Sequence, residues 1–283
     1  FIILFSVICV LIFTSVKKYI LMRESVRQRL LELNRDFYAQ VAEPFDATRQ
    51  QATPGLAAIL PYFGGDTKDL PGFPKPGRSN RLSVVDVGCG NGRFARLLDE
   101  AGIACDYTGV DGSRDLLALA ADATRELANV RCHFVLGDLS DPGWSERSGD
   151  GGFDRLLCTA TLQHLPGYDL RLAVVREFAH LCRGTIVLSF WQFLTSERFR
   201  ARLIDWSAVG LDAADVEAGD ALLPWKQGVS ATRYVHQVDE TELHRLATDA
   251  GLTLAHTFRA DGKEGNLNLY AILHPMNRST NQP

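Results

Sequence analysis

The fold is decided by one stretch of the sequence, Val84-Val85-Asp86-Val87-Gly88-Cys89-Gly90-Asn91-Gly92. An apolar strand, Leu82–Val87, runs directly into three glycines, and a helix is predicted from Gly92 to Ala101. Glycine lets the backbone turn tightly and approach a ligand, and the N-terminus of a helix presents free N–H groups. The pattern therefore predicts a ligand-binding turn between a first strand and a first helix.

The spacing of the glycines and the acidic residues near them narrow the range of possible ligands. The glycines read G-x-G-x-G, whereas a dinucleotide pyrophosphate site reads G-x-G-x-x-G. Asp86 precedes the first glycine, and its charge disfavours a diphosphate but favours a cationic amino-acid tail. Asp111 ends the second strand, where an acid typically accepts hydrogen bonds from ribose hydroxyls. Asp138, in Gly137-Asp138-Leu139 after the third strand, is predicted to meet an adenine amino group.

Downstream of the glycine turn, apolar strands alternate with amphipathic helices, which is typical of a parallel sheet with helical crossovers. The predicted strands are Leu82–Val87, Tyr107–Val110, Cys132–Leu136, Phe153–Cys158, Thr185–Trp191, Leu252–Arg259 and Asn268–His274. The predicted helices are Gly92–Ala101, Ser113–Leu127, Leu170–Cys182, Ser196–Trp206 and Glu240–Ala250. The last two strands surround a glycine-rich turn. We therefore predict an α/β fold: a seven-stranded, mostly parallel sheet with helices on both faces and an antiparallel edge hairpin.

The remaining chain divides into an extension, a cap and an insert. Residues 1–21 are mostly apolar and precede the first methionine; we interpret them as upstream sequence, with a short membrane anchor as the alternative. Residues 22–80 are predicted to form a helical cap and linker, with a first helix to about Ala42 that Glu43-Pro44 ends or bends. Residues 81–283 are the main domain, and its insert at 207–237 is predicted to be irregular.

Composition sets limits on partners and compartment. The net charge of −4 gives no overall positive field for nucleic acid, so such a partner would need a local basic patch. Arg198, Arg200 and Arg202 with Lys226 could form that patch, or simply a solvated face. The six cysteines include no C-x-x-C pair, which favours reduced structural thiols in a cytoplasmic protein without a bound metal.

The region from Leu82 to Trp191 resembles class I S-adenosylmethionine-dependent methyltransferases, which have a D-x-G-C-G-x-G turn, a second-strand acid and a third-strand G-D-L. The resemblance implies a Rossmann-like fold, with 81–283 as the methyltransferase domain and S-adenosyl-L-methionine as the cofactor. The implied cofactor-binding residues are Asp86, Gly88, Cys89, Gly90, Asn91, Gly92, Asp111, Gly112, Ser113, Asp138, Leu139 and Thr159.

A narrower resemblance reaches the flanks of this region. Asn34 to Arg49, Thr161 to Leu165, and Arg233-Tyr234-Val235-His236 are similar to segments of the tRNA carboxymethyluridine methyltransferase family, although Gln163 stands where a second histidine is usual. The resemblance implies methyl-ester formation on a modified uridine (carboxymethyl group) of tRNA. Because eukaryotic members need a small zinc-binding subunit, it also implies such a partner.

The residues that hold the methyl acceptor are predicted from their charge. A carboxylate is already ionised at pH 7, so its methylation needs placement and a cation rather than a general base. The candidate catalytic residues are Arg49, Arg233 and His236, with His164 lining the methyl-transfer site. Each has a structural alternative: a cap–domain salt bridge for Arg49, anchoring of the insert for Arg233 and His236, and loop packing for His164.

Two other functions stay open. One is a methyltransferase for a small molecule, a metabolite or quinone-like compound, which the mild acidity favours. The other is a non-catalytic S-adenosylmethionine-binding protein.

Overall fold

The computed structural model describes residues 22–64, 81–149 and 151–276. Its strands, in chain order, are β1 Leu82–Val87, β2 Cys105–Asp111, β3 Val130–Leu136, β4 Phe153–Thr159, β5 Cys182–Trp191, β6 Asp220–Trp225, β7 Ala231–His236, β8 Leu252–Ala260 and β9 Asn268–Pro275. Seven of them form one sheet in the order β3-β2-β1-β4-β5-β9-β8. Strands β1 to β5 pair in parallel, and β9 is antiparallel to both β5 and β8. The predicted fold class is confirmed.

The helices flank this sheet. They are α1 Glu24–Ala47, α2 Pro54–Ile59, α3 Arg93–Glu100, α4 Arg114–Ala123, α5 Tyr168–Leu181, the single turn α6 Glu197–Arg200, and α7 Glu240–Asp249. Strand β4 shows how the sheet separates two cores: Leu156 and Cys158 pack with α5 and α7, while Leu157 packs on the other face with α2 and α3. This alternation follows from the two-residue period of a strand.

Three helices do not end where the sequence predicted. Helix α1 continues through Pro44 to Ala47, because Phe45 packs against aromatic side chains of the cap and the insert. The helix predicted at Ser196–Trp206 is reduced to α6, which is followed by turns. Helix α4 ends at Ala123, well before Leu127.

The insert at 207–237 is also more regular than predicted. Strands β6 and β7 pair as an antiparallel sheet of their own. Leu222 and Tyr234, one from each strand, pack against Val26 and Leu30 of α1. Tertiary packing therefore gives this segment a structure that its short, proline-containing pattern did not indicate.

Part of the domain prediction falls outside the described residues. Residues 1–21, and with them the upstream-sequence and anchor interpretations, are not described, nor is the 65–80 linker. Within the described ranges, no helix has the length and apolar character required to cross a bilayer.

Candidate functional site

A cleft of about 1860 Å³ lies between the carboxyl ends of the parallel strands, helix α1 and the β6–β7 sheet. Of the residues predicted to bind the cofactor, it is lined by Asp86, Gly88, Cys89, Gly90, Asn91, Asp111, Gly112, Ser113, Asp138, Leu139 and Thr159. Of the four candidate catalytic residues, it is lined by Arg49, His164 and Arg233. The structure thus brings both sets to one cavity.

The glycine turn takes the conformation that its composition predicts. Gly88, Gly90 and Gly92 have φ of +78°, +55° and +69°, in the left-handed region that glycine occupies at little cost. A Cβ on Gly90 would have only Phe45 nearby, at 4.0 Å, so Gly90 faces open cleft. Gly92 is different: it precedes α3 and packs against Ala120, 3.2 Å from where its Cβ would stand, so it serves helix packing rather than the cleft wall.

Asp86 is buried beneath this turn with half of its carboxylate unpaired. Its Oδ2 accepts a 2.6 Å hydrogen bond from the hydroxyl of Tyr107, whereas its buried Oδ1 has no partner among the described residues. Burial raises the pKa of Asp86 to about 7, against the lowering effect of the Tyr107 hydrogen bond. An unpaired buried acceptor is costly, and a cationic group bound in the cleft beside this carboxylate would offset part of that cost.

Asp111 fixes the glycine turn from the next strand. Its Oδ2 accepts from the backbone N–H of Gly90 at 2.9 Å, and its Oδ1 accepts from that of Ser113 at 2.9 Å. Burial raises its pKa, although these backbone bonds oppose the effect. Each oxygen keeps a second lone pair, so the carboxylate can also accept hydrogen bonds from hydroxyls in the cleft.

Asp138 is tied to the cap. Its Oδ1 accepts from Ser140 at 2.7 Å, and its Oδ2 accepts from Nε of Arg35 in α1 at 2.8 Å. Burial acts to raise its pKa, but the bonds from Ser140 and Arg35 lower it overall. The predicted adenine contact would therefore share a carboxylate that already holds α1 over the cleft.

Two asparagines also attach the cap to the cleft. Asn91 donates from Nδ2 to Oδ1 of Asp46 at 2.7 Å, which fixes the end of α1 beside the glycine turn. Asn34 donates to the backbone oxygen of His164 at 3.2 Å and accepts from the backbone N–H of Tyr234 at 2.9 Å. One buried side chain in α1 thus joins the loop after β4 to the insert.

Arg233 projects from β7 into an aromatic cage. Its guanidinium carbon lies 4.9 Å from the ring centre of Trp191, 5.5 Å from that of Phe37 and 5.7 Å from that of Trp225. Its Nε is buried without a hydrogen-bond partner, and no carboxylate of the described residues forms an ion pair with it. Burial lowers its pKa. Among the described residues its contacts are with aromatic rings, so the cation is open to an anion from the cleft.

Arg49 lies beside Phe45, another aromatic side chain of the cleft lining. Its guanidinium carbon is 4.8 Å from the ring centre of Phe45, and its Nη1 donates to Oγ1 of Thr48 at 3.0 Å. Burial lowers its pKa. The cap–domain salt bridge considered from the sequence is not formed within the described ranges, so Arg49 presents a second cation to the cleft.

His236 is the candidate that the structure does not support as an acceptor contact. It is buried outside the cleft lining, with Nδ1 2.7 Å from Oδ1 of Asp220 and Nε2 2.8 Å from Oε2 of Glu242. Burial disfavours the protonated form of His236, but the hydrogen bonds to the two carboxylates outweigh this effect and raise its pKa. Arg171 donates to Glu242 and Glu217 in the same cluster. His236 therefore anchors the insert, which was the structural alternative.

The same cluster contains a possible metal-ligand group, Glu217, Asp220 and His236. Protein hydrogen bonds already use it: Glu217 accepts from Arg171 at 2.7 Å, and Asp220 accepts from the hydroxyl of Tyr234 at 2.7 Å. The guanidinium of Arg171 supplies the positive charge that a metal ion would otherwise bring. The arrangement is therefore a buried ion-pair network.

Sequence reasoning missed part of the cleft wall. Tyr38 and Trp225 line the cleft but were not predicted as site residues, and Gln163, also in the lining, was noted only as a departure from a family pattern. Aromatic residues and arginines recur together in the sequence of the cap and the insert, and this pattern could have indicated these residues. Of the suggested basic patch, Arg198, Arg202 and Lys226 line the cleft, whereas Arg200 does not.

The sheet order and the cleft at the carboxyl ends of the parallel strands are those of a Rossmann-like fold. Residues 84–184 match the family model described as a methyltransferase domain. The fold is similar to that of an S-adenosylmethionine-dependent methyltransferase from Methanosarcina mazei (TM-score 0.55, 20% identity, 70% of this chain and 94% of that one). It is also similar to Burkholderia thailandensis 1,6-didemethyltoxoflavin-N1-methyltransferase with bound 1,6-didemethyltoxoflavin and S-adenosylhomocysteine (TM-score 0.57, 18% identity, 89% and 91%).

Among curated proteins, the chain is similar to trans-aconitate 2-methyltransferase of Delftia acidovorans, with 31% identity over 104 residues. The match covers 37% of this chain and 35% of that relative, so it spans about a third of the relative's length. The match over residues 84–184 is to a methyltransferase domain, and the fold is that of the S-adenosylmethionine-dependent methyltransferases to which the chain is similar.

Proposed function

We propose that this protein transfers a methyl group from S-adenosylmethionine to a carboxylate oxygen of its acceptor. The observation that carries the proposal is Arg233, a cation at the cleft with no carboxylate partner among the described residues. A partly desolvated cation without a counter-ion is unfavourable. An acceptor carboxylate supplies that counter-ion.

The residues of the cleft fit the cofactor. The carboxylate of Asp86, which lines the cleft, would attract its cationic amino group, and Asp111 would accept from its ribose hydroxyls. Gly90 leaves room for the backbone to approach it. When bound, the cofactor supplies an electrophilic methyl group on a sulfonium.

The chemistry of the cleft favours an acceptor that needs no general base. Burial, followed by the charge of Arg233, lowers the pKa of His164 to about 3, so this histidine is a poor base at neutral pH. A carboxylate, with an ordinary pKa of about 4, is already ionised there. The guanidinium of Arg233 would orient it through two parallel hydrogen bonds, which a lysine cannot form.

Our first candidate for the acceptor is the carboxymethyl group of a modified uridine in tRNA. The resemblance of the Asn34–Arg49 and Arg233–His236 segments supports it, as do Arg198, Arg202 and Lys226, whose charges line the cleft and suit phosphates. A small carboxylate metabolite is the second candidate. The similarity to a trans-aconitate methyltransferase supports it, because trans-aconitate is itself a carboxylate.

Mass spectrometry of tRNA nucleosides from a deletion strain separates the two candidates. Accumulation of the unesterified carboxymethyl nucleoside supports tRNA, and the purified enzyme should then bind tRNA with a steep salt dependence. An unchanged nucleoside profile favours the metabolite. Absence of methyl transfer to any acceptor would indicate a non-catalytic cofactor-binding protein. A zinc-binding partner subunit and a cytoplasmic location stay predictions.

Variants of the two arginines test the role of charge. Arg49→Ala and Arg233→Ala should each lower acceptor turnover, by about 10²-fold for Arg233 if the ion pair is desolvated, while cofactor affinity is kept. Arg233→Lys should recover only part of the loss. Normal turnover in both alanine variants would contradict the carboxylate proposal, and loss of folding or cofactor binding alone would make the arginines structural.

A further inference from the structure

Gln163 is a buried amide in the cleft wall whose orientation is fixed by the backbone. Its Oε1 accepts a 2.9 Å hydrogen bond from the backbone N–H of Trp191, and the residue is only 3% exposed. Because a backbone N–H needs an acceptor, the oxygen must face Trp191 and the amide nitrogen must point away from it.

The amide nitrogen of Gln163 is left with both of its N–H groups to donate. It forms no hydrogen bond within the described part of the chain, and it is not among the atoms sealed from solvent there. Gln163 lines the cleft, so these donors face the cavity. A polar group on a side chain this buried is expected to have a partner, and the described residues provide none.

Gln163 and the cation already assigned to the acceptor share a neighbour, Trp191. Gln163 binds the backbone of Trp191, and the ring of Trp191 carries the guanidinium of Arg233 at 4.9 Å. The neighbouring residue, His164, has its pKa lowered in part by the charge of Arg233. The side chains of Gln163 and Arg233 thus both contact Trp191, which lines the cleft together with them.

We propose that Gln163 donates an amide N–H to the acceptor and selects, together with Arg233, for an oxyanion or carbonyl oxygen at that position. The inference rests on the proposed function, because it assumes the same acceptor site. The two donors, Arg233 and Gln163, have different roles in binding the acceptor. Arg233 supplies charge, whereas the fixed amide rejects an acceptor that has a donor group in place of the oxygen.

The test uses the isosteric change Gln163→Glu in the full chain. The introduced carboxylate can still accept from the N–H of Trp191, but it replaces the donors with negative charge. Its matched control is Gln237→Glu. Gln237 also accepts from a backbone N–H, that of Leu194 at 2.7 Å, and lies outside the cleft lining.

Acceptor binding is measured by tryptophan fluorescence with S-adenosylhomocysteine present, using tRNA that contains 5-carboxymethyluridine and, separately, trans-aconitate. At pH 8 we expect Gln163→Glu to weaken binding of the acceptor by about tenfold or more, because like charges then face each other. The loss should shrink as the pH falls and the introduced carboxylate is protonated, since its acid form donates again. Cofactor affinity should stay within about twofold, and Gln237→Glu should bind like the wild type.

Equal acceptor binding by wild type and Gln163→Glu overturns the inference. So does a loss that is independent of pH or that follows the unfolding midpoint, because a purely structural amide would give that result. Absence of binding by the wild type overturns it as well. Methyl-ester formation is scored separately: if the wild type binds an acceptor but forms no ester, the proposed function fails while the role of Gln163 stands on the binding data.

Discussion

The hydroxyl of Tyr38 lies 3.0 Å from Nε2 of His164, while Nδ1 of the same ring lies 3.2 Å from the backbone oxygen of Tyr234. A backbone oxygen can only accept, so Nδ1 carries the proton and Nε2 accepts from the phenol. The ring is therefore held neutral, with a pKa of about 3 that burial and the charge of Arg233 explain. His164 shapes the cleft without acting as its base.

This relationship predicts a flat pH profile. With both substrates saturating, the methylation rate should change by less than about twofold between pH 6 and 8, because a carboxylate acceptor is ionised throughout that range. Stopped-time assays across the range measure it. A tenfold rise per pH unit below about 6.5 that disappears in His164→Gln would show that the histidine acts as a base after all.

Substitutions of the first two glycines of the turn should have different effects, one mainly on stability and the other mainly on cofactor affinity. A Cβ on Gly88 would overlap the side chain of Thr161, and φ is +78°, so Gly88→Ala should lower the free energy of unfolding by about 2–4 kcal/mol. Gly90 faces open cleft, so Gly90→Ala should cost about 1 kcal/mol but weaken cofactor binding by about tenfold or more. Urea unfolding and calorimetry separate the effects. A folded Gly90→Ala variant with unchanged affinity would remove Gly90 from the cofactor site.

Cofactor affinity should depend on pH through Asp86. Its pKa in the free protein is about 7, so below that pH the carboxyl is protonated and binding of a cationic amino group must first release the proton. Affinity for S-adenosylhomocysteine should therefore rise as the pH increases from 5.5 to 7 and level off above it. Calorimetry with Asp86→Asn as the control should give a weaker and flatter profile. A wild-type affinity that is constant across this range would place the amino group elsewhere.

The buried cluster of the insert should be sensitive to loss of its central cation. Arg171 is 1% exposed and contacts Glu217 and Glu242, so Arg171→Met should lower the free energy of unfolding by about 3 kcal/mol because both carboxylates lose the guanidinium. The exposed pair of Arg125 and Asp122 offers the comparison, and Arg125→Met should cost less than about 1 kcal/mol. Equal values from urea unfolding would mean that the cluster is not a stabilising unit.

The sequence predicted the sheet well because each strand carries its own local signal. The run Val84–Val87 is apolar and β-branched and ends in glycines, so both its conformation and its position at the cleft follow from neighbouring residues. Asp86, Asp111 and Asp138 were predicted for the same reason: each lies at or just beyond the carboxyl end of a strand, and parallel strands end at one edge of the sheet.

The acceptor side was less predictable because its contacts are made between distant segments. The partners of Arg233 come from β5, β6 and α1, and nothing local distinguishes Arg233 from His236, three residues along the same strand. The structure separates them: Arg233 faces the aromatic cage, whereas His236 lies in the carboxylate cluster. Gln163 drew notice only as a departure from a family pattern, because its free amide is visible only once Trp191 is in place.

The central claim, methyl transfer to a carboxylate, is tested most directly by the alkali lability of the product. Wild-type enzyme is incubated with S-adenosylmethionine labelled in the methyl group and with tRNA or trans-aconitate, and the purified product is then treated with mild base. A methyl ester releases its label as volatile methanol, and Arg233→Ala should form little of that product. Label that stays on the acceptor through the base treatment, as it would on nitrogen or an ether oxygen, would contradict the account.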